Sequence, residues 1–276
     1  MSIECIETGT FAPLASPAEP AELRVVSWNI ARGARVDRIS DFLSSANADL
    51  ILLQESDRNG RRTAYRNVAR ELAQKLGMNY AFGIEFQELA QGSESSPAYH
   101  GQATLSCWPL REPRILRFRR QSRYWLPRWW IPPLPVFQRR IGGRMVLVTR
   151  VAVGSRSVTA YNLHLESRNG DEHRRSQLSE LAADAGRCAG DVIVIAGGDF
   201  NFDITGPGET ALLRDAGFDN PFAKLDISTI PPAAFGSGKS IDWVLTRGEV
   251  TLSSPKVHNS IRASDHYPLS VVLKFS

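Results

Sequence analysis

Val192-Ile193-Val194-Ile195-Ala196-Gly197-Gly198-Asp199-Phe200-Asn201 is the stretch on which the reading of this chain turns. Five apolar residues, four of them β-branched, run without a polar break; such a run is a strand covered on both faces. It ends in two glycines and an aspartate. Working outward, Leu50-Ile51-Leu52-Leu53 is a second fully apolar strand, and it ends in Gln54-Glu55. Leu23-Arg24-Val25-Val26-Ser27-Trp28 runs into Asn29. Residues 144–153 and 157–163 form a hairpin through Gly154-Ser155, and its second arm delivers His164. Further strands are expected over 80–85, 102–106, 240–246 and 268–274. Helices are expected over 36–46, with Ile39, Phe42 and Leu43 on one face, over 61–76 closed by Gly77, and over 172–188 and 209–215. Hairpins mixed with helices imply mixed sheets, not a simple parallel repeat.

At 276 residues the chain can bury one large core, and residues 21–276 read as a single domain. Residues 1–20, rich in Pro, Ala, Ser and Glu without periodicity, read as a flexible arm. Residues 111–144 form an insertion with many arginines, no lysine and one acid, Glu112. Within it, prolines interrupt a cluster of Trp125, Trp129 and Trp130, so an extended loop is expected. Its arginines and aromatics suit nucleic-acid phosphates and bases or an anionic membrane surface; the plain alternative is a loop folded back on the core. Three widely spaced cysteines form neither a zinc-type pair nor a disulfide framework. The N-terminus lacks the apolar core of a secretory signal, and no apolar run approaches the ~20 residues of a transmembrane helix. A cytoplasmic, soluble protein is the expectation, and the net charge of +4 suits an anionic substrate.

Asn29, Glu55, His164, Asp199 and Asp265 each follow or end a β-type run. One aspartate after a strand is ordinarily a turn residue or helix cap. Five chemically active residues at strand ends point to one shared site, because α/β folds gather ligands where strands give way to loops. Their types agree: Asn29, Glu55 and Asp265 offer oxygen to a hard cation. His164 and His266 can donate to phosphoryl oxygens or move a proton, and Asp242 can hold a histidine in one tautomer.

The motifs Trp28-Asn29, Leu53-Gln54-Glu55, Asn162-Leu163-His164-Leu165, Gly198-Asp199-Phe200-Asn201, Ile241-Asp242-Trp243 and Ser264-Asp265-His266 resemble, in that order, those of the endonuclease/exonuclease/phosphatase (DNase I-like) superfamily. Residues 101–106 also look like the family's central strand, with Gln102 where Asn is usual. The resemblance spans residues 25–273. It implies a four-layered α/β/β/α sandwich of two facing mixed sheets with helices outside. It implies Asn29, Glu55 and Asp265 around Mg2+ or Mn2+, and Asp199 and Asn201 on the attacking water and the phosphate. Asp242 would pair with His266 as general base or phosphate ligand, and His164 would touch a phosphoryl oxygen. Family members differ on whether the aspartate or the histidine takes the water's proton.

Glu85, at a strand end, is a candidate to orient His164; Arg174 and Gln177 share a helix face behind the His164 motif. His100, His173 and His258 read as solvated. Abasic-site endonucleases usually carry Tyr and Asn where this chain has Asn-Leu-His-Leu. Inositol-polyphosphate phosphatases carry Arg two places after the equivalent of Asn201, where this chain has Asp203. DNase I-like nucleases and sphingomyelinases share the histidine motif. The expected activity is therefore a metal-dependent phosphodiesterase acting on nucleic acid or a phospholipid headgroup. The alternatives are a phosphomonoesterase on the same fold and a non-catalytic module that binds anionic surfaces.

Overall fold

The computed structural model describes residues 4–13, 19–126, 137–188, 192–225, 228–232 and 238–275. In chain order these form β1 (Ile6–Gly9), β2 (Glu22–Arg32), α1 (Val36–Ala46), β3 (Leu50–Arg58), α2 (Val68–Leu76), β4 (Asn79–Glu88), β5 (Ala98–Ser106), β6 (Leu110–Arg117), β7 (Arg140–Gly142), β8 (Met145–Val153), β9 (Arg156–His164), α3 (Asp171–Ala185), β10 (Ile193–Asp199), α4 (Pro207–Asp215), β11 (Asp242–Arg247), β12 (Val250–Val257) and β13 (Leu269–Phe275). One mixed sheet runs β1-β4-β5-β3-β2-β13-β12, with β7 beside β4; the other runs β11-β10-β9-β8-β6.

The apolar strands serve two cores by alternation. Leu50 and Leu52 join Leu23, Val25, Ala160 and Ile195 between the sheets, while Ile51 and Leu53 join Trp28, Ile39, Leu43 and Leu72 under α1 and α2. Period-2 alternation explains why β3 carries no polar residue before Gln54. Leu178, Leu181 and Ala185 of α3 cover the second sheet. The result is the four-layered α/β/β/α sandwich expected from the sequence.

A polar clasp joins the sheets inside this core. Asn162 of β9 donates through Nδ2 to Leu53 O (3.1 Å) and Ala103 O (2.9 Å), and its Oδ1 accepts from Gln54 Nε2 (2.8 Å). Both amides are fully buried; the pairing satisfies Asn162 at both ends and Gln54 at its Nε2, while Gln54 Oε1 has no partner among the described residues.

The structure differs from the sequence reading in several places. Ile6–Gly9, expected in a flexible arm, pairs antiparallel with Gly83–Tyr80; Glu7 fixes it there by accepting from Asn67 and Tyr80. The helix expected over 61–76 breaks into a short turn, Arg61–Thr63, and α2, because Ala64 and Tyr65 adopt φ of 53° and 59° and Asn67 caps α2 from its side chain. Leu110–Arg117, placed in the insertion, is instead an edge strand paired with β8. Trp125 is buried, its indole N–H donating to Glu166. Trp129 and Trp130 lie outside the described residues, so the expected nucleic-acid or membrane contact through them has no structural account. No helix among the described residues is long and apolar enough to cross a membrane.

Candidate active site

The strands that carry the expected residues end together. β9 and β10 are parallel neighbours with Asp199 beside His164, and β11 runs antiparallel with Asp242 opposite Asp199. Gly198 makes the approach feasible: its φ is +151°, and a Cβ there would sit 1.9 Å from Leu163 O. On the first sheet, Asn29 and Glu55 lie at irregularities. The β2–β3 register shifts between Asn29 and Arg32, the β3–β5 register shifts between Leu53 and Ser56, and Glu55 adopts φ +55°. A bulge of this kind re-aims one side chain out of the alternation. Asn201 likewise adopts φ +57°; left-handed backbone at non-glycine residues concentrates at functional sites.

Asp199 is the hub. Its Oδ1 accepts from Asn201 N (2.8 Å), and its Oδ2 accepts from Asn29 Nδ2 (3.1 Å). The same Oδ2 faces His164 Nε2 at 3.5 Å and His266 Nε2 at 3.8 Å. His266 Nδ1 donates to both Asp242 oxygens, at 2.9 and 3.1 Å. Burial alone would lower the His266 pKa, but the Asp242 and Asp199 carboxylates outweigh it and push it up to about 10. His164 Nδ1 lies 3.5 Å from Glu85 Oε2. Asp199, Asp242 and His266 also bring potential ligand atoms within 4.8 Å of one another.

Backbone and loop contacts hold this hub in place. Trp28 Nε1 donates to His266 O (2.9 Å), Ser264 Oγ to Asn29 O (2.7 Å), and Trp243 Nε1 to Phe202 O (3.2 Å). Thr229 Oγ1 accepts from the backbone N–H groups of Ile241 and Asp242. Asn201 Nδ2 donates to Leu165 O, and Arg174 Nε donates to Asn201 O.

Glu55 and Asp265 stand apart from the hub. Among the described residues Glu55 makes no hydrogen bond or ion pair. Burial raises its pKa, yet the positive fields of His100, His164, Arg32 and Arg144 bring it down to about 2. It is therefore an ionised, half-buried carboxylate with no partner. Asp265 is exposed and accepts only from Ser264 Oγ, at 3.2 Å. The Asn29 side-chain oxygen accepts from Ala31 N (3.1 Å) and keeps a second lone pair. Oxygen donors with uncompensated negative charge suit a hard divalent cation. In the Asp199–Asp242–His266 group both carboxylates already accept internal hydrogen bonds while His266 Nε2 has none among the described residues, an arrangement better suited to proton handling.

Several contributors were not evident in the sequence. Glu85, a candidate there, proves fully buried and pairs through Oε1 with Arg144 Nη1 at 2.7 Å, while Arg144 Nη2 donates to Ser167. Gln177, on the helix face it shares with Arg174, is buried; it accepts from Glu166 N and donates to Arg120 O. His100, expected in solvent, is buried in β5 against Asp57 at 2.8 Å. His258 is half-buried and bonds Ser270. His173 faces Asn169 on the surface. Only Glu85 carried a sequence signal, its place at a strand end. Arg144, Asp57 and Thr229 sit among ordinary strand and loop residues, with partners far along the chain.

The family model described as Endonuclease/Exonuclease/phosphatase family matches residues 26–266. Among solved structures, an endonuclease/exonuclease/phosphatase from Beutenbergia cavernae superposes with a TM-score of 0.69 at 17% identity, covering 93% of this chain and 72% of that one. A family protein from Leptotrichia buccalis gives 0.65 at 16% identity, over 92% of this chain and 100% of that one. Truncated TDP2 from Caenorhabditis elegans gives 0.62 at 16% identity, over 92% and 97%. At these identities the likeness shows the fold alone. No curated protein matches the sequence.

Proposed function

The chain belongs to the endonuclease/exonuclease/phosphatase family, a family of phosphate-ester hydrolases, and from that premise we propose that it is a divalent-metal-dependent phosphodiesterase. The observation that carries the reading is the Asp199 carboxylate, whose Oδ2 is faced at once by the Asn29 amide and by the Nε2 atoms of His164 and His266.

His266 has a carboxylate off each ring nitrogen, Asp242 at Nδ1 and Asp199 at Nε2. Both nitrogens are best served as donors, so the ring acts as an imidazolium whose Nε2–H turns to a phosphoryl oxygen. Asp199, oriented by Asn201 N and Asn29 Nδ2, then takes the proton of the attacking water. His164, backed by Glu85, donates to a second phosphoryl oxygen. Asn201 keeps its side-chain Oδ1 for the water or the phosphate, its backbone oxygen being taken by Arg174 and its Nδ2 by Leu165 O. Glu55, Asn29 and Asp265 would hold Mg2+ or Mn2+, which when bound supplies positive charge to offset that of the phosphoryl oxygens. Four carboxylates assigned to the site, Glu55, Asp199, Asp242 and Asp265, repel a doubly charged phosphomonoester more than a singly charged diester, which favours the diester.

The test is hydrolysis of bis-p-nitrophenyl phosphate with Mg2+, Mn2+ or EDTA. Metal-dependent release by the wild type that disappears in folded Asp199→Ala is expected. Release that persists in EDTA, or in that variant, would sink the reading.

A further inference from the structure

Immediately beyond the strand ends that carry Asn29 and Glu55, an open groove of about 660 Å3 runs between the β2–α1 loop and the segment ahead of α2. Its size falls in the roughly 300–1,000 Å3 range of ligand pockets. Four arginines, Arg35, Arg38, Arg62 and Arg66, line it against a single acid, Asp37. The charges are unequally spent. Asp37 is held by Lys75 at 2.8 Å, and Arg62 by Asp57 at 2.6 Å and Glu88 at 3.1 Å. Arg38 has no carboxylate partner among the described residues, and Arg35 donates to a neutral carbonyl, Arg262 O. Arg66 has Glu71 at 3.7 Å and shares Asp37 with Lys75. Arg35 and Arg38 thus line the groove without a carboxylate partner among the described residues, and Arg66 is only loosely paired.

The walls are built, not loose. Gly33 has φ +74°, and a Cβ there would meet Val68 Cγ1 at 2.4 Å, so only glycine lets this loop lie against α2. On the other wall, Thr63 N, Ala64 N, Tyr65 N and Arg66 N donate to Gly60 O, Arg61 O, Gly60 O and Thr63 O respectively. Two consecutive left-handed residues, Ala64 and Tyr65, interrupt the helix there, and such strain persists only where surroundings enforce it. Tyr65 is 60% exposed, more than any other large hydrophobic side chain among the described residues.

Resting on the phosphodiesterase reading, we propose that this groove is a substrate subsite for a single nucleic-acid strand. Phosphates flanking the scissile one lie on Arg35, Arg38 and Arg66, and a base stacks on Tyr65. Cationic side chains spaced along a groove beside an exposed aromatic ring are the means by which single strands are held without regard to sequence. A lipid surface would call for large apolar side chains beside the charges, and between the arginines this groove is lined by small ones, Ala34, Val36, Thr63 and Ala64.

The experiment measures binding of a fluorescein-labelled single-stranded oligonucleotide of about 12 nucleotides by anisotropy in EDTA, at salt between about 50 and 200 mM. Duplex of the same sequence and phosphatidylserine vesicles serve as competitors. Wild type is expected to bind the single strand with steep salt dependence. Arg38→Glu combined with Arg66→Glu should weaken binding about tenfold or more and flatten the log–log salt slope by roughly 1.4, two contacts at about 0.7 each. Tyr65→Ala should weaken it at least about fivefold with the slope unchanged. All three residues are exposed, and circular dichroism verifies folding. No binding by wild type, equal affinity and slope in the arginine variant, or tighter binding of duplex or vesicles overturns the proposal. Binding in EDTA is independent of turnover. Failure of bis-p-nitrophenyl phosphate hydrolysis with oligonucleotide binding intact therefore strikes the chemistry alone, and the converse strikes the groove alone.

Discussion

The Asp199–Asp242–His266 hub and the Glu55–Asp265 pair are made of similar residues held in opposite ways. In the hub, each carboxylate has a donor: Asp199 has Asn201 N and Asn29 Nδ2, and Asp242 has His266. Glu55 has none, and Asp265 has one hydroxyl. A half-buried ionised carboxylate with no hydrogen-bond partner carries part of its desolvation cost uncompensated. Under the proposed mechanism the two groups divide the labour: the hub is preorganised by the chain itself, and the Glu55–Asp265 pair would be completed by the cation.

Four substitutions break or sharpen that contrast, taken from the largest expected effect to the smallest. Asp199→Ala removes the hub's shared acceptor and should reduce turnover of bis-p-nitrophenyl phosphate on the order of 10^4-fold, with the circular dichroism spectrum retained. Arg144→Met leaves Glu85, which backs His164, buried and uncompensated; chemical denaturation should show a loss of about 3–5 kcal/mol. Glu55→Gln leaves the hub intact but removes the unpartnered charge, so the Mg2+ concentration for half-maximal rate should rise at least about tenfold. The rise in melting temperature that Mg2+ gives wild type should shrink in parallel. If Glu55→Gln titrates like wild type, the two regions do not differ as described. Ser264→Ala deletes the hydroxyl that ties the Asp265 loop to Asn29 and should cost about 1 kcal/mol of stability in the same denaturation assay.

Much of the sandwich can be read from the chain because its central strands are extreme. Val192–Ala196 and Leu50–Leu53 have few outcomes other than doubly covered strands. The hub could be read for a related reason: His and Asp at the ends of such strands are chemically specific and close to fixed landmarks. The errors fall where pattern is weak. β1 has four residues and follows no apolar alternation, and its pairing with β4 depends on contacts of Glu7 with residues 60 and 73 positions away. β6 lies on an edge and shows no clean alternation, and its three arginines with Glu112 and Pro113 disguised it as part of a loop. The break at Ala64-Tyr65 carries no glycine or proline to announce it; long-range packing overrides a sound helical period there. His100 looked solvated because its neighbours in sequence are Ser and Gly, while its partner Asp57 lies on the adjacent strand.

The Asn162–Gln54 clasp bears on how such an enzyme can move. Three hydrogen bonds cross from one sheet to the other in a dry interior, and losing them would cost roughly 3–9 kcal/mol together. The sandwich therefore has no ready axis for opening like a hinge or sliding like a pair of plates. Substrate entry and product exit fall to the loops at one rim, where the backbone already departs from regular strand and helix, and the two sheets serve as a fixed chassis through the whole catalytic cycle.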